Sequence, residues 1–273
     1  MAPAVASAQD LLRDCALPAG EARALLCRIL GIARERLIAH PETAVDAAAQ
    51  RQFVQAVRQR TEGVPLAYLL GVQEFYGHVF MVTPAVLVPR PDTELLVDTA
   101  LAVLAERPGA RVLELGTGSG CIAIALSLAR PDLEVLATDR SEAALQVARE
   151  NRRRLGARVQ FASGDWYAPV DAAYDLVVSN PPYIAEGDAH LPALSFEPLA
   201  ALAAGGDGLD DLRRIAGGAL ARLLPGGRLL LEHGYEQGAA VRDLLAQSGL
   251  RDIHTLRDLA GRERACLGVR GVD

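Results

Sequence analysis

The 273-residue sequence predicts an α/β protein: a doubly wound, mostly parallel sheet preceded by a small helical domain and a connecting hairpin. Three observations carry this. From Ala110 onward, short apolar runs alternate with helix-patterned stretches. A glycine-rich turn, Gly116-Thr117-Gly118-Ser119-Gly120, lies between the first of these runs and the first helix. The run Tyr174 to Val178 is apolar apart from Asp175 and ends at Asn180-Pro181-Pro182-Tyr183, as expected for a buried parallel strand stopped by two prolines.

In chain order, residues 7–62 read as helices. Leu11, Leu12 and Cys15, then Ala22, Leu25, Leu26, Ile29 and Leu30, recur at helical spacing, with Gly20 and Gly31 as punctuation. A longer helix spans about Val45 to Arg60, with Phe53, Val54 and Val57 on its apolar face. This module suits either substrate recognition or plain stability. Residues 74–89 are rich in β-branched and aromatic side chains and read as a short hairpin or extended connector. Pro91 suits the first turn of a helix continuing through Leu95, Leu96, Val97, Leu101 and Leu104.

The sheet strands are expected at 111–115, 134–138, 159–161, 174–179, 228–232, 253–256 and 266–269, seven in all. Helices are expected at 121–129, at 142–155 behind a Ser141 cap, at 209–224 and at 236–248, with Pro225-Gly226-Gly227 as a turn. The domain boundaries that follow are 1–73 for the helical domain, 74–90 for the linker and 91–273 for the sheet domain.

Composition narrows the function classes. Hydrophobic residues make up 51%, ample for a core. Net charge is −6, every basic residue is arginine, and neither part of the chain has the basic excess of a nucleic-acid binder. Cys15, Cys27, Cys121 and Cys266 are scattered without a C-x-x-C pair, which argues for reduced thiols, a cytoplasmic setting and no metal site. No apolar run reaches membrane-spanning length, and the N-terminus lacks the pattern of a secretory signal.

Glycines at 116, 118 and 120 let backbone approach a ligand at a helix N-terminus, and Asp139 ends the next strand, about twenty residues further on, where a carboxylate can hold ribose hydroxyls. A nucleoside-containing cofactor is implied. G-x-G-x-x-G fails, because Cys121 occupies the third slot, and there is no phosphate-loop Gly-Lys-Ser/Thr. Asp165 and Trp166 close the third strand; the single Trp reads equally as a purine cover or a core aromatic. The Asn180 side-chain oxygen and the Pro181 carbonyl form two acceptors that can grip both hydrogens of an NH2 group, and Tyr183 offers a flat face to a planar substrate. His233 reads as structural, and Arg152-Arg153-Arg154 as a solvated helix end.

The stretch Glu114 to Gly120 resembles motif I of the class I S-adenosylmethionine methyltransferases, a Rossmann-like fold. With Asn180-Pro181-Pro182-Tyr183 it looks like an amino-methyltransferase. Pro65 to Gly71, Glu74-Phe75-Tyr76-Gly77, Val88 to Glu94, Glu197-Pro198, Gly205 to Leu209, Leu231 to Tyr235 and Asp258 to Arg264 resemble the HemK family, the release-factor glutamine N5-methyltransferases. Asp92 and Tyr167 stand as tolerated variants.

The resemblance implies S-adenosylmethionine as cofactor, S-adenosylhomocysteine as product and the Gly-Gly-Gln glutamine of class 1 release factors as substrate. It implies catalytic roles for Asn180, Pro181 and Tyr183, and cofactor binding by Gly116, Thr117, Gly118, Ser119, Gly120, Asp139, Asp165, Trp166 and Asn180. Substrate contacts fall to Asn180, Pro181, Pro182 and Tyr183, in a monomer with no nucleic-acid or membrane requirement. The competing readings are an amino-methyltransferase acting on nucleic acid and a non-catalytic cofactor-binding protein.

Overall fold

The computed structural model describes residues 6–272, which divide into two compact units, one ending at Val72 and the other beginning at Gln73. The first unit carries α1 (Ala8–Arg13), α2 (Ala19–Leu30), α3 (Arg34–Ala39), α4 (Ala47–Thr61) and α5 (Leu66–Leu70), with a two-residue pairing of β1 (Ala6–Ser7) and β2 (Ala44–Val45). Its core is Ala8, Ala22, Leu25, Leu26, Leu37, Val45, Ala49 and Phe53. Side-chain caps start two of its helices: Ser7 forms a capping box with Asp10, and Asp46 accepts from Ala48 and Ala49. The half-buried ion pair Arg60–Glu21, at 2.6 Å, links α4 to α2.

A two-stranded ribbon, β3 (Val72–Phe75) with β4 (His78–Met81), follows. A 3-10 turn, Pro91–Thr93, leads into α6 (Glu94–Val103). Then come β5 (Arg111–Leu115), α7 (Cys121–Ala129), β6 (Glu134–Asp139), α8 (Glu142–Leu155), β7 (Val159–Ser163) and β8 (Tyr174–Ser179). After two 3-10 turns the chain ends with α9 (Asp210–Ala219), β9 (Leu223–Glu232), α10 (Gly238–Gln247), β10 (Arg251–Arg257) and β11 (Glu263–Val269).

These last seven strands form one sheet in the order β10-β11-β9-β8-β5-β6-β7. Pairs from β9 through β7 are parallel, while β11 runs antiparallel to both β9 and β10. Successive strands run outward from β5 to β6 and β7, then return to β8 on the other flank of β5. The carboxyl ends of β5 and β8 therefore meet at a topological switch point, where open α/β sheets leave a crevice. Two cores cover the two faces, one built around α6 and α7 and the other around α9 and α10. Residues Cys121–Ser127 of α7 are all buried, which is why its sequence is apolar on every side.

The structure corrects several of the expected boundaries. α9 stops at Ala219 instead of Leu224, because the chain must turn there for Arg222 to bond Tyr174 and for Leu223 to sit beside it. Pro225-Gly226-Gly227 is no turn between elements. It lies inside β9, held by reciprocal backbone bonds from Gly226 to Arg270 and from Arg270 to Gly227, and the register against β8 slips there. β7 also runs two residues past Phe161.

Candidate active site

The crevice at the switch point opens into a cleft of about 1030 Å³, mouth included, a size suited to a nucleoside-containing ligand. Gly116 through Ser119, Asp139, Asp165, Trp166, Asn180 and Pro182 all line it. Gly120 lies behind, at φ +82°. A Cβ there would come within 3.0 Å of Ile124 and 3.2 Å of Ala148, so the turn packs α7 against α8 only because the position has no side chain.

Two carboxylates organise the turn. Asp139 accepts from Gly118 N–H at 2.9 Å and from Ser141 N–H at 2.8 Å, and burial pushes its pKa up. Each oxygen accepts one backbone bond and so retains further accepting capacity, on a residue that lines the cleft. Glu114, 1% exposed, accepts from the Thr117 hydroxyl at 2.6 Å and from Ala123 N–H at 3.1 Å; burial pushes it up to about 8. Two N–H groups at the turn, those of Gly118 and Ala123, are thus taken by acids, and the Asp139 carboxylate disfavours a second anion beside it. A Cβ at Gly118 would meet nothing, so space is open above the turn. The donor set fits a nucleoside with hydroxyls to anchor and a cationic rather than phosphorylated tail.

Trp166 partly takes the core role. Its ring lies 3.1 Å from where a Gly116 Cβ would stand, packs on the second core and lines the cleft; the buried Nε1 has no partner among the described residues. Asp165 lines the cleft while its carboxylate pairs with Arg214 of α9.

Asn180 directly follows β8 and lies between two cavities. The first is the cleft. The second is lined by Pro181, Tyr183, Ile184, Leu194 and Leu202, and Asn180 and Arg90 belong to both. The Asn180 Nδ2 donates to the Thr93 hydroxyl at 3.1 Å. Among the described residues, neither its Oδ1 nor the Pro181 carbonyl receives a hydrogen bond. Two acceptors thus stand free beside one another in sequence. Tyr183 donates its hydroxyl to Glu232 at 3.2 Å, and its carbonyl accepts from Gln237 at 2.9 Å. Gly208 closes this loop, since a Cβ there would collide with the Tyr183 carbonyl.

Sequence reading missed several of these supports. Thr93, Glu232 and Gln237 lie far from the motif in sequence, and only the fold joins them. Glu197, 6% exposed, pairs with Arg90 and accepts from Val88 N–H at 3.0 Å, fixing the segment at the cleft wall. His233 is buried; its Nδ1 bonds the Gly234 carbonyl and its Nε2 faces the Cys266 thiol at 3.3 Å, away from the free acceptors. That is the structural role expected of it.

Residues 91–204 match the family model described as Methyltransferase small domain, and residues 4–71 the one described as PrmC N-terminal domain. The release factor glutamine methyltransferase of Bordetella pertussis is 55% identical over 260 residues, covering 94% of this chain and 96% of that one. The chain belongs to the release factor glutamine methyltransferase family. The Escherichia coli K12 member is 41% identical across 92% of each chain. A Pyrococcus furiosus methyltransferase of known crystal structure shares the fold, with a TM-score of 0.53 at 17% identity over 83% of this chain and 100% of that one. The methyltransferase fold is the one the motif I resemblance implies, and its sheet is the doubly wound one the βα alternation predicts.

Proposed function

We propose that this protein transfers a methyl group from S-adenosylmethionine to the side-chain amide nitrogen of the glutamine in the Gly-Gly-Gln loop of class 1 release factors. The observation that carries the site assignment is the pair of unpartnered acceptors, Asn180 Oδ1 and the Pro181 carbonyl, the first from a residue that lines both cavities and the second from one that lines the smaller cavity beside it. When bound, the cofactor would supply an electrophilic methyl whose bond to the sulfonium sulfur breaks as the new bond to nitrogen forms, leaving a neutral thioether.

The chain's own residues do the rest. Asp139 holds the ribose hydroxyls with its remaining lone pairs, the open turn at Gly118 receives the ligand's body, and Trp166 and Asp165 form the wall for the base. An amide nitrogen is a weak nucleophile because its lone pair is delocalised into the carbonyl. Asn180 Oδ1 and the Pro181 carbonyl accept its two hydrogens, aim it toward the cleft and favour positive charge on the nitrogen as the bond forms. Pro182 stiffens the loop, and Tyr183 lies against the amide plane with its ring anchored through Glu232. The proton then leaves the nitrogen for water.

The helical unit contributes grip on the protein substrate, and the enzyme works as a cytoplasmic monomer without nucleic acid. Among the described residues no helix is long and apolar enough to cross a membrane. The test is mass mapping of an unmodified release factor incubated with protein and cofactor. One added methyl on the Gly-Gly-Gln glutamine is expected; methyl found on RNA instead, or on no substrate, would overturn the reading.

A further inference from the structure

A side-chain amide can sit in either of two flipped orientations, and only one of them presents an acceptor to the substrate. What selects the orientation of Asn180 lies in the 3-10 turn before α6. Thr93 is 3% exposed, its N–H bonds the Arg90 carbonyl, and its Oγ1 is 3.1 Å from Asn180 Nδ2. A hydroxyl can accept from an amide or donate to one, so Thr93 alone would not decide.

Behind it stands Glu232, 2% exposed. Thr93 lies beside this carboxyl and favours its charged form, without a well-formed hydrogen bond, and Oε2 has no partner among the described residues. In its ionised form this carboxyl can only accept, which favours a Thr93 proton turned toward it and leaves the hydroxyl lone pairs for the Asn180 NH2. The other carboxylate oxygen takes the Tyr183 hydroxyl. One buried acid therefore backs both ends of the Asn180–Tyr183 segment.

Building on the proposed methyl transfer, we infer that Thr93 is a positioning residue: with Glu232 behind it, it holds Asn180 with Nδ2 turned inward and Oδ1 presented to the substrate amide.

The test compares full-length Thr93→Val, which keeps the shape and removes the acceptor, with Thr93→Ser, which restores it. Thr93→Val is expected to lower kcat on a release factor about 10- to 100-fold, with calorimetric cofactor affinity within about 2-fold, and Thr93→Ser to return kcat to within about 3-fold of the parent. Unchanged kcat in Thr93→Val, an equal loss in Thr93→Ser, or a parallel loss of cofactor affinity would overturn the inference. A second readout needs no turnover. In the NMR spectrum of the parent protein, one Asn180 Nδ2 proton should exchange slowly, and should lose that protection in Thr93→Val but keep it in Thr93→Ser. Absence of protection in the parent also overturns it. If the parent leaves the glutamine unmethylated, the functional reading fails, while the NMR comparison still decides the role of Thr93.

Discussion

Asn180 Oδ1 acts only when a substrate amide is present, so its removal should separate chemistry from binding. Asn180→Ala should reduce kcat on a release factor by about 100- to 1000-fold, the scale of losing one preorganised polar partner of a transition state. Cofactor affinity, measured by calorimetry, should fall far less than kcat, because Asp139 and the glycine turn, which carry most of that binding, stay in place on the cleft wall. A matched fall in both would remove Asn180 from the chemistry. Gly120 gives the opposite kind of residue effect. Gly120→Ala meets Ile124 and Ala148 at a left-handed backbone position, and should cost about 1–3 kcal/mol of unfolding free energy in denaturant titration. Loss of cofactor binding should follow from the displaced turn.

At the scale of elements, α8 does more than end in arginines. Asn151, 0% exposed, accepts from Met81 N–H at 2.7 Å and donates to the Met81 and Ser119 carbonyls, each at 2.9 Å. A single amide thus joins α8 to the β3–β4 ribbon and to the glycine turn. Asn151→Ala strands three buried backbone groups and should destabilise the protein by about 2–4 kcal/mol, read as a lower denaturation midpoint. Parent-like stability would show that water replaces the amide.

The contrast with Arg152-Arg153-Arg154 shows what sequence can carry. The arginines are legible as a helix end because charge and the Gly156 that follows obey local rules; Arg153 pairs with Glu150 at the surface, as expected. Asn151 is silent because its partners are 32 and 70 residues away. The same division holds at the site. The glycine turn, Asp139 and Asn180 announce themselves by strand-end position, whereas Thr93 and Glu232 acquire meaning only when β8, β9 and the 3-10 turn converge. β9 shows the limit from the other side: Pro225-Gly226-Gly227 has turn chemistry, and sheet pairing with Arg270 overrides it.

For the molecule as a whole, two buried acids set the response to pH. Burial pushes Glu114 up to about 8 and Glu232 up to about 7, both above their values in an unfolded chain. The folded state keeps these protons longer, so their contribution is full below about pH 4.5 and is lost as pH rises through 7 and 8. Burial pulls His233 down, which works the other way but only below about pH 6.5. Between about pH 6.5 and 8 the melting temperature should therefore fall, and Glu232→Gln should flatten the lower part of that slope. A melting temperature that rises over this interval would contradict the assignment.

The Asn151 amide has a consequence for how the chain can be divided. Its partners make the ribbon a structural part of the sheet unit, although the ribbon precedes the first sheet strand by some thirty residues. A fragment starting at Gln73 carries every partner of that amide, whereas one starting at Pro91 loses both of its bonds to Met81 and keeps only the one to Ser119. Swapping front ends between relatives, to ask which half chooses the protein substrate, should therefore splice before the ribbon and never after it.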